Sequence, residues 1–192
     1  MGVLEIIGAV FIITFGCLGH FIFEWSGHKQ WAGLFFAVNE STWEHIKLSI
    51  YPTLIWGVVE AAARGFCPEV LVATAFGLVT MMLLIPGLFY GYTSIVGKNF
   101  LITDIICFLV SIIVGMAVFH KAVTFEAEYS GFIVGVCAAM LAMITVFYFR
   151  FSFHPPHNFL FRDPISGGFG PQGHDCDEDF HHTGYKHHHH EQ

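Results

Sequence analysis

Asn39-Glu40-Ser41-Thr42-Trp43-Glu44-His45 sets carboxylates and an imidazole at the mouth of a long apolar stretch. His20 and Glu24 are four residues apart, so on a helix they stack on one face with Cβ atoms about 5 to 6 Å apart, a chelating spacing. Glu40 and Glu44 share that spacing if a helix begins early enough, with His45 about 100° further round. Asp104 interrupts another apolar stretch. Imidazole combined with carboxylates suits zinc, manganese or iron, and an open coordination position would permit catalysis. His20, Glu24, Glu44, His45 and Asp104 are therefore the candidate metal ligands. Glu44, His45 and Asp104 are also the candidates for catalysis, with His45 able to serve as a general base even without a metal.

The elements that must position these residues follow from composition. Of 192 residues, 55% are hydrophobic and 12% charged, a balance that suits a membrane protein better than a soluble domain. A helix needs about 20 mostly apolar residues to cross a hydrocarbon core of roughly 30 Å. Five stretches qualify, at about residues 3–23, 43–63, 70–90, 100–119 and 129–149. The segment 28–38 is too short to cross and reads as an interfacial piece, anchored by Trp25 and Trp31. The expectation is an all-α integral membrane bundle of five transmembrane helices with this short segment between the first two. Residues 1–150 form the membrane domain, 151–170 an aromatic, Pro- and Gly-containing cap over one face, and 171–192 a disordered acidic, histidine-rich tail. The first stretch lacks a basic leader and a small-residue cleavage site, so it reads as a retained span. Ile6 stands where a myristoylation signal needs Ser or Thr.

Five spans put Lys29, Lys47, Lys98, Arg150, Arg162 and Lys186 on one side, and Arg64 and Lys121 on the other. The basic-rich side is cytoplasmic by the usual rule. The expected arrangement is multi-pass in the cell membrane, with the N-terminus outside and the C-terminus in the cytoplasm. His20, Glu24, Glu40, Glu44, His45 and Asp104 then collect in one cytoplasmic layer. The opposite face offers Glu60, Glu69, His120, Glu126 and Glu128 beside its two basic residues.

Structural roles compete for the same residues. Ser41 to Glu44 is a capping-box pattern, which would satisfy free backbone donors at a helix start. Asp104 could complement a helix dipole, His20 could hydrogen-bond between helices, and Lys47 could pair with Glu44 or snorkel. Asn39-Glu40-Ser41 matches the glycosylation pattern, but its predicted cytoplasmic side argues against use. The five cysteines show no paired spacing and read as reduced thiols. Ala73-x-x-x-Gly77, Ser111-x-x-x-Gly115 and Gly131-x-x-x-Gly135 are small-residue ridges suited to close helix packing or a homodimer. Membrane lipids and a second copy of the chain are the expected partners; nucleic acid is not.

Gly19-His20-Phe21, Glu24-Trp25-Ser26-Gly27, Val38-Asn39-Glu40-Ser41, Trp43-Glu44-His45-Ile46-Lys47-Leu48 and Pro52 resemble the leading block of a family of small prokaryotic membrane proteins known only as a domain of unknown function. Pro155-Pro156, Phe161, Asp163-Pro164 and Gly170 resemble its closing block. The resemblance implies a polytopic membrane protein and directs attention to these two blocks without implying an activity. Three classes of function stay open. They are a metal-dependent membrane enzyme acting on a lipid-like substrate, a transporter or channel for a metal ion or small solute, and a structural or partner-binding protein.

Overall fold

A computed structural model describes residues 1–126, 128–164 and 167–170. The tail 171–192 lies outside them, and with it the expectation of disorder there. Each apolar stretch forms a helix whose ends are set by local chemistry. The first, α1, is Val3–Trp25, and α2 is the short Gln30–Phe35. Helix α3 (Thr42–Arg64) starts at Ser41, whose hydroxyl accepts the Glu44 N–H at 3.4 Å. It stops at Gly65, whose φ of 87° is a left-handed conformation that glycine adopts without a Cβ clash. Pro68 opens α4 (Pro68–Val96) in the first turn, where a missing N–H is harmless. Helices α5 (Leu101–Val123) and α6 (Gly131–Phe153) complete the described helices, the latter capped by the Ser130 hydroxyl, which accepts the Ile133 N–H.

All except α2 are long and apolar enough to cross a membrane, so the described residues form an all-helical bundle with five such helices. Successive spans alternate in direction, with α1, α3, α4 and α5 packed together and α6, the least buried span, against α4. Ile12, Ile50, Leu78, Met81, Ile112 and Met116 have no exposed surface and fill the space between the packed helices.

Two of the small-residue ridges face each other. A Cβ on Gly77 of α4 would lie 3.0 Å from the Gly115 carbonyl oxygen of α5, and one on Gly115 would lie 2.9 Å from the Gly77 carbonyl oxygen. Gly131 and Gly135 of α6 meet nothing within 4 Å. Helices α1 and α3 approach as closely, for a different reason. Pro52 has no N–H for the Leu48 carbonyl one turn earlier, and Gly16 lies over that oxygen, 3.1 Å from where its Cβ would stand. This antiparallel pair carries polar residues at both ends: His20 with His45 at one, Glu5 with Glu60 at the other. On each helix the two polar positions are fifteen residues apart, which is about 22 Å of helix rise.

Candidate metal centre

Residues 36–41 link α2 to α3, and the closing segment holds them in place. Asn39 is buried and fully used: its Oδ1 accepts the Ser41 N–H at 3.0 Å, and its Nδ2 donates to the Gly170 carbonyl at 3.1 Å. The Glu40 N–H donates to Asp163 Oδ2 at 3.3 Å. Asp163 is itself held in a tight turn, its N–H on the Gly168 carbonyl and its carbonyl accepting the Gly167 N–H. The Trp43 N–H donates to the Leu160 carbonyl at 3.0 Å, and the indole stacks between Tyr148 and Phe161, at 3.9 and 4.3 Å between centroids. The loop thus fixes where the Glu40 side chain starts.

That side chain reaches two histidines. Glu40 Oε1 lies 3.0 Å from His20 Nε2, and Oε2 lies 3.7 Å from His45 Nε2. Ligand atoms from the three residues all lie within 4.8 Å of one another. Donors at about 2.0 to 2.1 Å from a tetrahedral ion stand roughly 3.3 Å apart; the two separations run to different Glu40 oxygens, so the three side chains would draw in slightly to share one ion. The His45 Nδ1 sits 3.0 Å from the Ser41 carbonyl oxygen. With Nδ1–H donating there, Nε2 presents its lone pair, the tautomer a metal needs. His20, Glu40 and His45 side chains are 26%, 39% and 30% exposed, so water or a substrate can reach the group from the end of the bundle. Among the described residues this is the one such group of three or more His, Cys, Asp or Glu.

The group of three does not take in the other residues expected at the site. Glu24 is exposed on the last turn of α1. Glu44 turns inward, its Oε2 accepting the Lys47 ammonium at 2.6 Å and the Val38 N–H at 3.1 Å. The Ser41 half of the capping box therefore forms, while the carboxylate half goes to Val38. Lys47 has no exposed surface, and its remaining hydrogens go to the Gly33 and Phe36 carbonyls at 2.9 and 3.4 Å. This buried pair ties α2 and the loop after it to α3, beneath the histidines. Asp104 accepts hydrogen bonds from the Tyr92 hydroxyl and from Asn99 Nδ2, and Tyr92 in turn accepts the Phe100 N–H. Asp104 thus secures the α4–α5 connection. Sequence spacing underrated Glu40 because it lies in the loop before α3. Nothing local pointed to Asp163, which supports Glu40 from the far end of the chain.

Residues 3–171 match the family of unknown function DUF6512, and the chain belongs to that family. No curated protein and no solved structure matches it.

Proposed function

We propose that this member of a family without an assigned activity is a membrane metalloprotein that binds one divalent transition-metal ion through His20, Glu40 and His45. The bound ion acts on a lipid-like substrate at the bilayer surface. The observation that carries this reading is the convergence of the three donors, with the Ser41 carbonyl selecting the His45 tautomer. Two imidazoles and a carboxylate suit zinc first, with iron or manganese as alternatives. Three protein donors leave a position free, where an ion can polarise a substrate oxygen or generate a hydroxide nucleophile near neutral pH.

A cleft of about 550 Å³ supports the substrate class. Its walls include Phe89, Phe159 and Pro164, with Arg162, Tyr90 and Thr42 as polar groups. Asp163 lines this cleft while its carboxylate holds the Glu40 N–H. An apolar chain with an anionic head fits that lining. Passage of the ion through the bundle is disfavoured, because the buried Lys47 cation and the closely packed Gly16–Leu48 contact lie inward of the histidines. The excess of basic residues makes this end the cytoplasmic one. A cysteine introduced at Lys98 in a cysteine-free background would then resist impermeant reagents added outside intact cells.

Metal analysis of protein truncated after Gly170, which removes the histidine-rich tail, tests the centre. One equivalent of metal is expected, lost on His20→Ala, Glu40→Ala or His45→Ala and retained on Glu24→Ala and Asp104→Asn. A folded truncated protein that takes up no zinc, iron or manganese would overturn the proposal.

A further inference from the structure

At the end of the bundle away from the histidines, two carboxylates are withdrawn from water. Glu5 of α1 is 1% exposed and Glu60 of α3 is fully buried. Arg64 bridges them, Nη2 to Glu5 Oε1 at 2.8 Å and Nε to Glu60 Oε2 at 2.7 Å. His120 of α5 places Nδ1 3.2 Å from the same Glu5 Oε1. The second oxygen of each carboxylate, Glu5 Oε2 and Glu60 Oε1, is buried and receives no hydrogen bond from the protein. His120 Nδ1, although 3.2 Å from Glu5 Oε1, makes no hydrogen bond there, and Trp56 Nε1 is a further buried polar atom without a protein partner. It stands one turn from Glu60 on α3 and presses on Gly8, one turn from Glu5 on α1, where a Cβ would collide with the indole.

Charge and donor count lead to the same place. Two carboxylates around one guanidinium leave a net negative charge on groups that are themselves buried, unless a proton joins them, and an uncompensated buried charge is strongly unfavourable. The other elements do not supply the missing charge. The N-cap of α4 contributes the Cys67 thiol near Arg64, its first turn the half-buried Glu69, and Lys121 beside His120 is exposed. The seats available to a proton are the His120 imidazole and the two unbonded carboxylate oxygens.

The geometry points to a proton-binding site, in which Glu5, Glu60 and His120 around Arg64 hold one proton exchangeable with the adjoining aqueous phase. His120 and Arg64 are 27% and 29% exposed while the carboxylates are closed off, so His120 is the entry. Nε2 takes a proton from hydronium in the aqueous phase, leaving water, and a small turn of the ring lets Nδ1–H reach Glu5 and pass its proton to the carboxylate. One proton moves inward, the imidazole ends neutral, and no other bond changes. The inference is independent of the metal centre.

Infrared difference spectra of the full-length protein in lipid nanodiscs, recorded across a pH series, test it. A protonated-carboxyl band that titrates in the wild type and disappears in Glu5→Gln or Glu60→Gln is the expected result. A titrating His120 imidazole, seen by nitrogen-labelled NMR with both carboxylates ionised throughout, would equally place the proton in the site. If the glutamine variants do not fold, His120→Gln serves, and is expected to slow deuterium exchange of the carboxyl band at least tenfold. The proposal is overturned if neither group titrates while the protein stays folded. It is also overturned if the band survives both glutamine substitutions, or if its exchange is unchanged without His120.

Discussion

Lys47 and Glu44 show how much a single side chain can be asked to do in this protein. The ammonium spends its donors on Glu44, Gly33 and Phe36, so both charges are compensated without water. Removing one partner leaves a bare charge in a closed space. Lys47→Met is expected to destabilise the fold by about 3 to 5 kcal/mol, and the double variant with Glu44→Gln to recover much of that. Denaturant titration in detergent, followed by circular dichroism, would show both. Asn39 makes a subtler prediction, since it touches no metal donor yet sets the course of the chain on either side of Glu40. Asn39→Ala should weaken metal affinity about 10- to 100-fold, measured by chelator competition, while leaving the stoichiometry at one ion.

Among elements, small residues decide which helices approach. Gly115 admits Met81 and the Gly77 carbonyl oxygen, so Gly115→Val should cost about 1 to 3 kcal/mol through overpacking, while Gly135→Val changes little. Thermal unfolding of the two variants side by side would separate the buried ridge from the outward one. The helices themselves were legible in sequence, because an apolar run of bilayer length with a Ser cap or a Gly stop needs no distant partner. The candidate site was legible only in part. His20 and His45 were visible as chemistry at helix ends, and a pair with Glu44 was one of the two roles the sequence left open for Lys47. Glu40 was harder, because Asp163 holds it from 123 residues away. The contact of Glu5 with Arg64 and His120 depends on the registers of three helices, and no local pattern encodes that.

For the whole molecule, binding and folding are linked. An ion held by α1, the loop before α3, and α3 itself stabilises whatever keeps those parts together. Zinc at about 100 times its dissociation constant should raise stability by about 2.7 kcal/mol. The gain should be present at neutral pH and fade on acidification, because protons compete with the ion for both imidazoles. Unfolding temperatures with and without zinc, at neutral and acid pH, would check the direction, and His45→Ala should abolish the difference.

The fifteen-residue spacing between polar ends on both α1 and α3 also has an electrical consequence. Water at the exposed edges of His20, Glu40 and His45 at one end, and of Arg64 and His120 at the other, carries the bulk potential inward with it. A transmembrane voltage then falls across about 22 Å of closely packed helix seam in place of a hydrocarbon slab of about 30 Å, which steepens the local field by about a third. A charge bound at Glu5 or at Glu40 would stand at the edge of that drop, and membrane voltage would then join concentration in setting how often each proposed site is occupied.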